Sequence, residues 1–397
     1  MCGEGVDTPR IVFIAEGKLF EKTGAAEPRE IESPFARAAA TRAEERQARH
    51  AWKNGAEDDR GPFNSRTLWG KQAQGAAHHE HPVFRHVTRG ARPDEIFYVL
   101  SMSASAGVFR YNLDTGEEQR LFHREDFVAC GLTCCPRDGR LVVASRGADG
   151  IADLELVDPE TRRRDRVTDG DGYDAFPSHD PVKPNMVYFQ SAGAGRNAEG
   201  ELVAFGPSGV LTLDYASGAL ATVLEDGAHD FLAPRLDAQG RLHCIRRPYT
   251  AHGRVGVGAS LKAFVLAPFH LVEAVIGFAD AFTRMFARRS LRPAGPGGPG
   301  QGPTRGVLIH DTYVELEKVM RRRERGAKDV NLVPGSWTLL RREPDGRETE
   351  LARHVTAFDL APDGTLVFTN GLSIWVDGAE RRLLHDGQVV QELAVVG

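Results

Sequence analysis

The sequence predicts an all-β chain folded as a six-bladed β-propeller, and three observations carry that reading. A pattern recurs in which four short β-rich segments are separated by tight turns and one longer loop. Its turns are built from Pro, Asp and Gly combinations that fix or tolerate special backbone angles. Counting the copies leaves three strands at the start and one at the end, which together make one more blade. Sharing a blade between the two ends closes the ring and removes its last open sheet edges.

The clearest copy covers residues 127–168. Strands at 127–133, 140–145, 151–157 and 163–168 are separated by Pro136-Arg137-Asp138-Gly139, a loop, and Asp158-Pro159-Glu160-Thr161. Residues 83–122 form the preceding blade, with Arg92-Pro93-Asp94-Glu95 and Asp114-Thr115-Gly116-Glu117 as turns. Residues 173–224 form the following one. The fifth blade is split into 229–247 and 336–354, and carries Ala238-Gln239-Gly240. The sixth covers 355–385 and turns at Pro362-Asp363-Gly364. Strands at 11–15, 18–21, 29–31 and 389–396 make up the shared first blade.

The stretches Pro136-Arg137-Asp138-Gly139-Arg140-Leu141-Val142-Val143 and Pro362-Asp363-Gly364-Thr365-Leu366-Val367-Phe368 resemble the repeat of the TolB-like propellers. The propeller domains of prolyl-oligopeptidase-type peptidases carry the same repeat. The resemblance covers about two thirds of the chain. It implies the fold and a rigid surface of the kind used for protein binding, and assigns no chemistry.

Composition agrees with a single propeller domain spanning 1–397. The chain has 397 residues, 41% hydrophobic and 26% charged, and a formal net charge of −5. That balance gives no reason to expect a nucleic-acid partner, which calls for a concentrated basic face. Residues 1–5 lack a basic stretch leading into an apolar run, so a cytoplasmic location is expected. Five cysteines, three of them at Cys130, Cys134 and Cys135 on one strand, suit reduced buried thiols.

In a four-stranded blade the loop between strands two and three shares a face with the connection to the next blade. Three long segments therefore gather on one face: residues 32–82, 191–205 and 248–335. The first should hold a helix over 35–52, begun by Ser33-Pro34. The last contains an amphipathic stretch over 260–289, with Leu261, Phe264, Val272, Phe282 and Phe286 at helical spacing. Its most apolar run, 263–279, falls short of the roughly 20 apolar residues a bilayer span needs. Three uses are open to it: docking on the propeller or a second subunit, lying on a membrane surface, or filling a partner's groove. A second short helix is expected over 312–325.

Candidate binding residues cluster at the mouth of the channel on that face. Asp126, Asp174 and Asp230 begin their blades, and with His179, Asp180 and His229 they could line a polar funnel that binds a ligand or holds a general base. The alternative is that each Asp caps its own turn. Arg196, in the Gly-rich 191–197 loop, could help cradle an anion. Arg246, Arg247 and Tyr249 stand at the root of the largest insertion and could anchor it by ion pairing and stacking. His79 and His81 are the best-spaced metal candidates, although two ligands in one loop make a weak set. No nucleophile elbow, P-loop or dinucleotide fingerprint is present, and no cofactor is expected. The sequence favours a non-enzymatic scaffold for a protein or peptide partner. A propeller hydrolase or lactonase using the Asp and His residues, and a membrane-surface scaffold using 260–289, are the alternatives.

Overall fold

The computed structural model describes residues 9–55, 82–102, 105–125, 127–197, 199–250, 306–310, 312–325, 330–378 and 381–396. It opens with β1 (Arg10–Ala15), β2 (Lys18–Thr23) and β3 (Arg29–Ile31). Helix α1 (Pro34–Gly55) follows, slightly longer at both ends than its spacing indicates. Ser33 starts it, its Oγ accepting the Ala36 N–H at 3.0 Å. The Glu118 carboxylate also accepts the Phe35 N–H at 2.8 Å, placing negative charge at the positive end of the helix.

Strands β4 (Val83–Arg89), β5 (Glu95–Met102), β6 (Ser105–Asn112) and β7 (Glu118–Glu125) form an antiparallel sheet in chain order. The next group is β8 (Val128–Cys134), β9 (Leu141–Arg146), β10 (Ala152–Val157) and β11 (Arg164–Arg166). After it come β12 (Gly172–His179), β13 (Met186–Arg196), β14 (Leu202–Phe205), β15 (Gly209–Asp214) and β16 (Ala219–Leu224). One parallel bridge, Ala152 to Tyr173, joins these two groups into a nine-stranded sheet.

Strands β17 (His229–Leu236) and β18 (Leu242–Pro248) are separated in the chain from their sheet partners. Between them come the hairpin β19 (Gly306–Ile309) and β20 (Thr312–Glu315), then helix α2 (Leu316–Glu324). Strands β21 (Thr338–Arg342) and β22 (Glu348–Arg353) then complete the order β17-β18-β21-β22. The expected helix over 312–325 is thus corrected: its first turn is strand. Thr312 pairs with Ile309, and Val314 with Val307, so β-branched residues take extended backbone where a partner strand is at hand.

Strands β23 (Ala357–Leu360), β24 (Leu366–Thr369), β25 (Ser373–Asp377) and β26 (Arg382–Asp386) make a further antiparallel sheet. Strand β27 (Val390–Val396) leaves it and pairs with β1 instead, Arg10 opposite Val396, giving the order β27-β1-β2-β3.

The turns rest on side-chain acceptors. Asp158 Oδ1 accepts the N–H groups of Glu160 and Thr161 at 2.8 and 3.1 Å. Asp237 Oδ1 does the same for Gln239 and Arg241, and Asp363 Oδ1 for Thr365. In the last of these, Gly364 sits at φ +89°, where a Cβ would be strained.

The cores lie between neighbouring sheets, face to face. Ile14 and Val396 pack with Ile96 and Phe109. Val99 and Leu121 pack with Leu132 and Val143. Ala144 and Leu154 pack with Val187 and Phe189. Val210 packs with Phe231 and Cys244. Ile245 and Leu339 pack with Phe358 and Phe368, and Val367 and Ile374 with Phe13 and Val395. Each fully buried aliphatic or aromatic side chain contributes about 1.5–3 kcal/mol. The described residues hold no helix long and apolar enough to cross a membrane.

Candidate functional site at the first strands

The leading strands of the sheets abut in series: β27 on β4, β4 on β8, β8 on β12, β12 on β17, β17 on β23, and β23 on β27. Five of them carry a bulge, at Phe84/His86, Ala129/Gly131, Ala175/Ser178, Leu232/Arg235 and, on β27, Val390/Glu392. A bulge turns a side chain out of the alternation and aims it elsewhere. Here the bulges present His86 and Phe176 to each other, the rings 5.7 Å apart and edge-on.

His86 uses both ring nitrogens. Nδ1 lies 2.8 Å from Glu392 Oε2, and Nε2 lies 3.2 Å from the Ala129 carbonyl oxygen. Both neighbours are acceptors, so both nitrogens donate and the ring is an imidazolium. Burial pulls its pKa down. The charge and hydrogen bond of Glu392, with the Ala129 carbonyl, outweigh that and leave it raised.

The turn of the β19–β20 hairpin brings His310 onto the other side of Phe176, with ring centroids 4.7 Å apart. Its Nε2 lies 2.9 Å from the Thr356 carbonyl oxygen, which it meets as a donor. Burial and then the charge of Arg247 push its pKa down to about 3, so this ring is neutral. The hairpin is fixed by buried Val307, Ile309 and Val314. Arg247 pins its turn: Nη1 donates to His310 O at 3.1 Å and to Thr312 Oγ1 at 2.7 Å. Nε of the same group donates to Asp230 Oδ2 at 2.9 Å, and the guanidinium lies 4.8 Å above Trp337.

The other residues singled out in the sequence take varied places. Asp174 is held by the Ser191 hydroxyl at 2.6 Å, and burial raises its pKa against that bond. His179 and Asp180 do not join it, which corrects the funnel reading. Eight-residue β12 carries Asp174 near one end and His179 at the other, with Asp180 just beyond. Asp180 Oδ1 caps its own turn, accepting the N–H groups of Val182 and Lys183 at 2.8 and 2.9 Å. Burial drives His179 down to about 4, and its ring meets Tyr215 edge-on. His229 pairs locally with Asp226 at 2.5 Å.

The Gly-rich segment after Ser191 continues β13 and returns as β14, rather than forming an open loop. Arg196 is spent there on Asp171, at 2.6 Å, and on the Gly200 carbonyl, so its fork is not free for an anion. Arg246 faces Glu348 at 3.9 Å, and the Tyr249 hydroxyl donates to Phe205 O at 2.6 Å. Asp126, His79, His81 and the 260–289 stretch lie outside the described residues. Among the described residues, no three His, Cys, Asp or Glu side chains are placed to hold a metal.

Sequence reasoning missed His86, Glu392 and His310. Only their contacts mark them, because the first two are 306 positions apart.

This arrangement of sheets is a β-propeller. No family model matches the sequence, and no curated protein matches it. Among solved structures it is similar to TolB from Acinetobacter baumannii, with a TM-score of 0.52 at 11% identity over 99% of this chain and 67% of that one. It is also similar to a chain of the nidogen/laminin complex, with a TM-score of 0.51 at 8% identity over 98% of each chain. The fold is therefore that of a TolB-like β-propeller.

Proposed function

We propose that the chain is a closed ring of six blades and serves as a non-enzymatic cytoplasmic scaffold for a protein or peptide partner. Six hydrophobic clusters, each bridging two successive sheets, support the ring, the last of them joining β23–β26 to the β27–β1 sheet. The partner binds the face at which β3 leads into α1 and β18 leads out of its sheet. The observation that carries this reading is the hairpin held by Arg247. His310 packs on Phe176 among the leading strands on that face, which favours recognition on an outer surface over a small substrate entering there. A fold neighbour from a nidogen/laminin complex agrees with a generic protein-binding use of such a disc.

Site-specific photo-crosslinking tests the face. A crosslinking residue at exposed Thr41 on α1 should trap a discrete partner in cells. The same residue at exposed Pro362, on a turn between β23 and β24, should not. Equal trapping from both positions would overturn the assignment.

A further inference from the structure

At the C-terminal ends of the leading strands, away from His310, two guanidinium groups converge on neighbouring residues of β23. Arg89, the last residue of β4, donates from Nη1 to the Leu360 carbonyl at 2.9 Å. Arg235, near the end of β17, donates from Nε to Asp359 Oδ1 at 3.3 Å and from Nη1 to the Pro234 carbonyl at 3.0 Å.

Most carboxylates near these strand ends are taken, and Asp180 at the end of β12 is spent on the Val182 and Lys183 N–H groups. Asp359 faces Arg235, and its other oxygen accepts the Val395 N–H at 2.9 Å. Glu95 is folded over Gly90 and faces Arg110 at 3.8 Å. The Glu392 carboxylate is spent on His86 and the Val87 N–H. Arg89 is left with a carbonyl as its partner among the described residues, so one positive charge has no carboxylate. Nε and Nη2 of Arg89, and Nη2 of Arg235, have no acceptor among them either. Both side chains are only partly buried, the Arg235 side chain 22% exposed, so solvent reaches them.

We propose that Arg89 and Arg235 form a binding site for one carboxylate at the end of the channel remote from the hairpin. Arg89 has no carboxylate partner, and a planar carboxylate suits the spare donors of its guanidinium fork. The carboxylate is the chain end of a peptide or an acidic side chain. This site stands apart from the proposed partner face, so either can fail without the other.

Two probes separate the sources. N-acetylglycine stands for a peptide chain end, and N-acetylaspartate amide for an acidic side chain. N-acetylglycinamide, which has no charge, is the control. In titrations at constant ionic strength, at least one acid should shift the Nε–H resonances of Arg89 and Arg235 saturably, and the amide should not. The tighter acid identifies the source. Arg89→Gln removes a charge that has no carboxylate partner, so the fold should survive it, and binding should weaken at least tenfold. Arg235→Gln should do the same, whereas Arg110→Gln should bind as the parent does. The proposal is overturned if neither acid saturates, or if folded Arg89→Gln binds as tightly as the parent.

Discussion

The carboxylate of Glu392 on β27 holds the imidazolium of His86 on β4 at 2.8 Å, so two strands far apart in the chain share one buried ion pair. The same carboxylate accepts the Val87 N–H at 3.2 Å. Breaking such a pair by removing one partner costs about 3–5 kcal/mol, because the other charge is left buried alone.

The pair sets a pH dependence with a definite sign. A raised folded pKa means its stabilisation is fully present below the free imidazole value of about 6.5. It is lost as pH rises through the folded value. The melting temperature should therefore fall as the pH rises above about 6.5, and the fall should largely vanish in Glu392→Gln. A wild-type melting temperature that is level over that range would refute the assignment.

Gly131 tests the bulge that aims Phe176. It sits at φ +131°, and a Cβ there would come 2.8 Å from Phe176 Cα and 2.9 Å from its N. Those neighbours are backbone and cannot swing aside. Gly131→Ala should cost about 2–3 kcal/mol in urea unfolding, through strain and overpacking together. A cost below 1 kcal/mol would mean that the bulge is soft.

Arg247 tests the hairpin latch. Truncation to Met keeps much of the side-chain bulk but leaves Asp230 buried without its cation. Arg247→Met should cost about 2–4 kcal/mol. Amide exchange should quicken first in Gly306–Ile309 and Thr312–Glu315, and an unchanged pattern would show that Val307, Ile309 and Val314 hold the hairpin unaided.

The thiols give a fourth check. Cys130, Cys134, Cys135 and Cys244 are buried and form no disulfide among the described residues. Burial pushes Cys244 up to about 12 and Cys134 further still. A Cys2→Ser variant should resist an aromatic disulfide reagent at pH 8 and release four equivalents on unfolding. Rapid reaction of even one thiol in the native state would contradict this packing.

What the sequence disclosed was local. Pro136 to Gly139 and Pro362 to Gly364 announce their turns because the Asp acceptor, the fixed φ of Pro and the positive φ of Gly lie within four positions. A continuous apolar run likewise marks strands such as Glu95–Met102. The 312–325 segment misled because its apolar spacing suits a helix, while Thr312 to Glu315 take their conformation from Gly306 to Ile309. Asp174 and His179 share β12 and so looked like neighbours, but an extended strand sends its two ends apart. Arg196 had no visible partner because Asp171 lies 25 positions upstream, across a strand turn. The centre of the molecule is built from such distant pairs, and spacing alone cannot reveal them.

The β27–β1 pairing also fixes an order of events in time. On the ribosome β1 emerges long before β27, so that its partner is not yet made. Chains grow at about 5–20 residues per second, so some 375 further residues take roughly 20–80 s. Throughout that interval one long edge of β1 is open to any passing strand. The nascent chain is therefore vulnerable along β1 until β27 is made. A shortage of holding chaperones should harm the yield of this protein more than that of an equally stable one whose first strand pairs locally.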